Sequence, residues 1–184
     1  MEPIEYRFEI RTSKKEDMER VFELVKELAD FQNMLEKFTG SKEDLEKWTF
    51  GEHKLLYIYC GWLCPVSEDC YIPPKMIGYT IHFLNYSTFK HIPGIYLEDI
   101  YVQPEYRGKG YGKALLLNLC KIAKDNEFDI VEWQVLDSNK SSIDFYESMG
   151  AKPIREWVQY RLSGENTKHC AMEFDSLNLV INKK

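Results

Sequence analysis

No run of about 18 or more apolar residues occurs in this chain, so a membrane-spanning helix is not expected. Met1 to Ile10 alternate acidic, basic and apolar types. They lack the basic segment and apolar core of a secretory leader, and the expected location is the cytoplasm. Cysteine is scarce and odd in number: Cys60, Cys64, Cys70, Cys120 and Cys170 lie in strand-like, loop and helical contexts. That scatter excludes a disulfide framework and predicts reduced thiols. None of the spacings is CxxC, so no metal site is expected. An excess of basic charge is also missing: the formal net charge is -6, which argues against nucleic-acid binding and mildly favours a cationic substrate. Internal repeats and low-complexity segments are absent.

What remains is enough apolar material, 44% of 184 residues, for one domain with a sizeable core spanning residues 1–184. Tyr6 to Arg11 reads as a first strand, and Ser13 with Glu16 as a capping box opening a helix. That helix places Met18, Val21, Phe22, Val25, Leu28 and Ala29 on one face. A second helix starts near Ser41, turns Leu45 and Trp48 inward and stops at Gly51. Leu55 to Trp62 and Met76 to Tyr86 read as strands joined through a loop with Pro65, Pro73 and Pro74. Ile95 to Val102 is a further strand, followed by a Gly-rich turn and a long amphipathic helix to about Asn126. Ile130 to Val135 then reads as a strand, and Asn139 to Met149 as a helix with Gly150 as its C-cap. A closing strand pair is expected around Trp157 to Leu162 and Cys170 to Phe174. Hairpin-connected strands followed by a strand–helix–strand passage predict an α/β fold, a mixed central sheet with helices on both faces.

The stretch Tyr106-Arg107-Gly108-Lys109-Gly110-Tyr111-Gly112-Lys113 lies between a strand and a helix. Glycines at alternate positions let successive backbone N–H groups point into one concavity, and the following helix adds the positive end of its dipole. Arg107, Lys109 and Lys113 add charge, so the turn is an anion cradle suited to a pyrophosphate. GxGxxG would require glycine where Lys113 stands, and the Walker pattern does not fit this register.

Arg107-x-x-Gly110-x-Gly112 after a strand resembles the R/Q-x-x-G-x-G/A signature of the GNAT superfamily. Tyr96-Leu97-Glu98-Asp99-Ile100-Tyr101-Val102 before it resembles the family's fourth strand. Asn139 with Asp144-Phe145-Tyr146-Glu147-Ser148-Met149-Gly150-Ala151 resembles its asparagine-plus-FYxxxGA segment. Val25-Lys26-Glu27-Leu28-Ala29 and Phe50-Gly51-Glu52-His53 narrow the resemblance to the diamine acetyltransferase branch, the spermidine/spermine and thialysine enzymes. The resemblance implies the GNAT fold, acetyl-CoA as cosubstrate without a metal, a homodimer, and acetyl transfer to the primary amine of a small aliphatic amine. It implies pyrophosphate binding by Arg107, Gly108, Lys109, Gly110, Tyr111, Gly112 and Lys113. Backbone amides of Ile100, Tyr101 and Val102 would serve the thioester and pantetheine at a strand distortion in that segment, and Asn139 the pantetheine arm. Ser142 is either a further contact to the cofactor or a solvated residue of the helix's first turn.

The chemistry fits those residue types. An amine with a pKa near 10.4 is almost wholly protonated at neutral pH, so a base must act on it, and a departing thiolate needs a proton. The resemblance gives the first task to Glu98, through water, and the second to Tyr146, whose phenol keeps its proton at neutral pH. The acceptor is less defined. Where polyamine-acetylating relatives carry an aromatic-glutamate pair and an aspartate, this sequence has Phe31-Gln32 and Ser87. Losing two such carboxylates is expected to weaken polyamine capture by an order of magnitude or more. Glu98, Asp99, Glu132, Trp133, Gln134 and Glu156 are the remaining candidates to receive the amine. A protein or peptide amine as acceptor, and a silent CoA-binding scaffold, are the alternative readings.

Overall fold

The computed structural model describes residues 4–66 and 71–177, which fall into two compact units, Met1–Gln134 and Val135–Lys184. The first unit is built on a five-stranded sheet of β1 (Tyr6–Thr12), β2 (Tyr57–Pro65), β3 (Lys75–Ser87), β4 (Ile92–Val102) and β5 (Val131–Trp133). Spatial order follows chain order. β1 to β4 pair antiparallel, and β5 lies parallel to β4 after a helical crossover.

Helix α1 (Met18–Phe31) repeats apolar residues at three- and four-residue spacing. It buries Met18, Val21, Leu24 and Leu28 against Ile58, Cys60, Tyr79, Ile81 and Tyr101. On the opposite face Leu115 of α3 (Tyr111–Asp125) packs with Leu63, Ile77 and Val102. Helices therefore cover both faces of the sheet, as the sequence predicts.

Two local expectations are corrected here. Ser13 does not open α1: it is buried, and its amide donates to the Ile58 carbonyl at 3.0 Å. A 3-10 turn at Lys15–Asp17 precedes the helix instead, with the Asp17 carboxylate accepting from the Lys14 amide at 2.8 Å. In α2 (Lys42–Phe50) the Ser41 cap and the Gly51 stop are where the sequence puts them. Trp48, however, is exposed under the Lys47 ammonium. The inward stripe of this short helix runs through Leu45 and Thr49, four residues apart, which leaves Trp48 on its rim.

The second unit holds α4 (Lys140–Ser148) and α5 (Glu165–Ser176). Asn139 Oδ1 accepts from the Ser142 amide at 3.2 Å at the start of α4. At its end, Gly150 has φ 88°, its amide donates to the Glu147 carbonyl and that of Ala151 to the Tyr146 carbonyl. This is a Schellman closure, and it explains why a glycine stands four residues after Tyr146.

The expected closing strand pair does not form. Residues 157–162 have no regular secondary structure, and Trp157, Val158, Tyr160 and Leu162 are exposed. Residues 170–174 lie inside α5, which begins after Gly164 at φ 57° and carries a Lys168–Glu165 ion pair one turn in. Ala171, Met172 and Glu173 are strong helix formers, and local helical hydrogen bonds need no partner strand.

Cys60, Cys64, Cys120 and Cys170 are free thiols, whereas Cys70 lies outside the described residues. Among the described residues no helix is long and apolar enough to cross a membrane.

Candidate active site

The candidate site of the first unit is built around the point where β4 and β5 part company. β5 pairs only with Ile95, Tyr96 and Leu97, and Trp133 opposite Leu97 is its last residue. Past that point β4 continues to Val102 with β3 on one side alone. The Gln103 amide donates to the Ile77 carbonyl at 2.9 Å. By the alternation of an antiparallel ladder, the amides of Tyr101 and Asp99 also turn toward β3. Those of Ile100 and Val102 therefore point to the other edge, which no described strand covers. Two N–H donors a dipeptide apart face the gap.

The distortion expected within residues 100–102 sits earlier. Ile81 pairs with Asp99 and its neighbour His82 with Leu97, so Glu98 is an extra residue, a β-bulge. Residues 100–102 keep regular register with Thr80, Tyr79 and Gly78. Glu98 is exposed, whereas Asp99, paired with Ile81, is partly buried on the α1 face. Burial, and then the charge of Glu98, raise the Asp99 carboxyl to about 6. The fully buried Tyr79 hydroxyl on the same face has no hydrogen-bond partner among the described residues, and burial followed by the Asp99 charge holds it well above the usual phenol range.

After β4, Gln103 and a 3-10 turn at Pro104–Tyr106 lead into the glycine turn. Gly108 and Gly110 take φ 76° and 84°, conformations that L-residues avoid, and a Cβ at Gly108, Gly110 or Gly112 would meet nothing within 4 Å. The cradle is open. Gly110 caps α3, so the amides of Tyr111, Gly112 and Lys113 have no partner within the helix. Among the described residues Arg107, Lys109 and Lys113 form no ion pair with a carboxylate. A pyrophosphate fits a cradle of this shape and sign.

Not every residue of the turn faces that cradle. Tyr111 stacks on Phe8 of β1, ring centroids 4.4 Å apart, and thereby seats the first turn of α3 on the sheet. Arg107 Nε donates to the Val102 carbonyl at 2.8 Å, and its guanidinium lies over the Phe31 ring at 4.3 Å. Phe31, expected at the acceptor, is thus brought to the start of the anion turn, with Gln32 next to it capping α1.

The other acceptor candidates scatter. Glu132 on β5 accepts from Asn85 Nδ2, and Trp133 and Gln134 follow it. Ser87 ends β3 in the β3–β4 hairpin, its Oγ accepting from the Lys90 amide. It stands six residues beyond Ile81, about 20 Å along the strand from the bulge. In the second unit Tyr146 lies on α4 beside Phe145, rings 5.3 Å apart, between the Asn139 cap and the Schellman closure. Glu156 is exposed and accepts from the Arg155 amide.

Sequence reasoning passed over His82, buried across from the bulge, stacked on Tyr57 and Tyr59, and with no partner for Nδ1 among the described residues. Burial lowers its pKa to about 4. A lone histidine in a strand gives no signal of that kind.

The sequence profile of the Acetyltransferase (GNAT) family matches residues 23–151. The thialysine N-epsilon-acetyltransferase of Bos taurus is 34% identical over 170 residues, covering 88% of this chain and 96% of the relative. Among solved structures, an integron cassette protein from the mobile metagenome of V. cholerae superposes with a TM-score of 0.70 at 25% identity, covering 89% of this chain and 97% of the other. An aminoglycoside N-acetyltransferase in complex with CoA superposes at 0.62 and 18% identity, over 88% and 99% of the two chains.

Proposed function

The chain belongs to the GNAT acetyltransferase family, and from that premise we propose that it transfers an acetyl group from acetyl-CoA to the primary amine of a small aliphatic amine, with a thialysine-like amino acid preferred over a polyamine. The observation that carries this reading is the open glycine turn at the N-terminus of α3, lined by cations that have no carboxylate partner among the described residues, next to a strand edge that presents the Ile100 and Val102 amides. The family profile runs across the boundary between the two units, which supports a single functional domain.

Acetyl-CoA supplies the acetyl group as a thioester. The glycine turn holds its pyrophosphate, and the Ile100 and Val102 amides donate hydrogen bonds where negative charge develops on the carbonyl oxygen. Asn139, with Ser142 beside it, holds the pantetheine arm. Glu98, exposed at the bulge, removes the ammonium proton through a water molecule and so frees the nitrogen lone pair. The new bond is N–C and the broken bond C–S; Tyr146 gives its phenolic proton to the departing sulfur, and the second proton that the nitrogen sheds on becoming an amide returns to the phenolate through water.

Asp99, partly buried next to Glu98, receives the cationic group of the acceptor. The likeness to a thialysine N-epsilon-acetyltransferase supports a lysine-like acceptor over a polycation.

The test follows CoA thiol release from acetyl-CoA with thialysine, lysine, putrescine, spermidine and a lysine peptide. Turnover highest with thialysine is the expected result. Turnover with the peptide alone would transfer the activity to protein amines, and CoA binding without any turnover would leave a silent binding protein.

A further inference from the structure

Helix α1 reaches the coenzyme side of the site at two residues one turn apart. Phe31 carries the Arg107 guanidinium on its ring. Four residues earlier, the carboxylate of Glu27 gathers three side chains. Gln103 Nε2 donates to both of its oxygens at 3.0 and 3.2 Å, the Tyr101 hydroxyl donates at 3.3 Å, and Arg20 lies at 3.4 Å. Tyr101 and Gln103 flank Val102, the residue whose amide faces the β4–β5 gap and whose carbonyl accepts from Arg107. One side of α1 thus holds both the end of β4 and the first residue of the glycine turn.

The contact with Gln103 decides an orientation. Among the described residues the buried Gln103 side-chain oxygen has no partner, so its amide is satisfied at the nitrogen only, by Glu27. Removing the carboxylate leaves both ends of that amide unpaired. Rotation to recover water or another partner then breaks no hydrogen bond, and Gln103 is directly bonded to the peptide that carries Val102. The backbone on the following side is Pro104, which has no N–H with which to anchor the segment.

We infer that Glu27 is a positioning residue for the coenzyme: through Gln103 and Tyr101 it fixes the end of β4, and with it the Val102 amide and the entry of Arg107 into the pyrophosphate turn. The role rests on the acetyl-CoA reading given above, but nothing in the motifs of that reading assigns it. Its consequence is specific. Loss of Glu27 weakens the hold on the coenzyme and leaves the acceptor amine, which meets Glu98 and Asp99 at the bulge, bound as before.

The experiment compares wild type with Glu27→Leu, Glu27→Gln, Gln103→Leu and the double variant Glu27→Leu/Gln103→Leu. CoA affinity is read by titration calorimetry, together with KM for acetyl-CoA, KM for the amine and kcat. Glu27→Leu is expected to weaken CoA binding and raise the acetyl-CoA KM about tenfold, the scale of one lost hydrogen bond to a charged group, with the amine KM unchanged. Glu27→Gln, which still offers an oxygen to Gln103 Nε2, restores affinity close to wild type. The double variant binds no more weakly than the worse single one, because both changes break the same link. An unchanged CoA affinity in Glu27→Leu, even with a lower melting temperature, overturns the inference. So do equal rises in both KM values, or multiplying effects in the double variant. Failure of the wild type to bind CoA is a separate result and overturns the acetyl-CoA reading itself.

Discussion

Leu97 and Asp99 are two residues apart on β4 yet on opposite faces of the sheet, because Glu98 is an extra residue between the two register positions. In an unbroken strand they would share a face. The bulge sends Leu97 to the side of His82 and Asp99 to the side of Ile81 and α1, and it puts Glu98 itself at the surface.

Glu98→Gln removes the proposed base without changing size. kcat/KM for the amine should fall about a hundredfold near neutral pH, within the usual range for general-base loss. The deficit should shrink as pH approaches about 10, where the amine deprotonates unaided. A pH–rate series on both proteins checks it; a constant ratio at every pH would remove Glu98 from that role.

Asp99 and His82 pull stability in opposite directions over one pH window. Asp99 has its folded pKa raised to about 6, above the ordinary value near 3.9, so its contribution favours the native state in acid and is lost as pH climbs through about 6. His82 has its folded pKa lowered to about 4, below the ordinary 6.5, so the native state refuses a proton that the unfolded chain accepts, and stability falls as pH drops from about 6.5 toward 4. Asp99→Asn removes the compensating half. Its melting temperature should therefore drop more steeply than that of wild type between pH 6.5 and 4.5. Parallel melting curves across that range would contradict the assignment.

The three glycines of the cradle should separate by backbone conformation. Gly110→Ala and Gly108→Ala each force a side chain into a left-handed conformation, costing about 1–2 kcal/mol, and they disturb the amides that face the anion. Gly112 lies in α3 with no such φ and open space around it. Gly112→Ala should keep or slightly raise the melting temperature, by helix propensity, and leave CoA affinity near wild type, since the signature admits alanine at that position. Thermal melts with and without CoA distinguish the two kinds of glycine. A Gly110→Ala protein that binds CoA normally would place the pyrophosphate elsewhere.

Tyr146→Phe keeps the ring and deletes the proton donor. With acetyl-CoA saturating, kcat should fall roughly ten- to hundredfold, with little change in the acetyl-CoA KM. Gly150→Ala acts on the same helix by another route, straining the Schellman closure by about 1–2 kcal/mol. A Tyr146→Phe enzyme with wild-type kcat would assign the proton to another group.

Much of the site could be read from residue types and spacing. The glycine turn, the Asn139 cap, the Gly150 closure and the strand that carries Glu98 all follow from local rules, in which a side chain acts on backbone within a few residues of itself. The strand pair expected after residue 156 failed for a related reason. A strand needs a distant partner, and residues 170–174 have helical hydrogen bonds available within one turn. Trp48 shows the same limit at smaller scale: apolar type does not say which residue of a short helix meets the core.

The sequence by itself determined the order of elements as far as α4, the glycine turn and the kinds of acid and base available, because each is written in contiguous residues. Only the tertiary structure decided that the bulge falls at Glu98, that Asp99 is pushed toward neutrality, and that Glu27 on the first helix grips Gln103 far along the chain. Register, burial and side-chain pairing between remote segments arise when the sheet and helices pack together, and no local pattern encodes them.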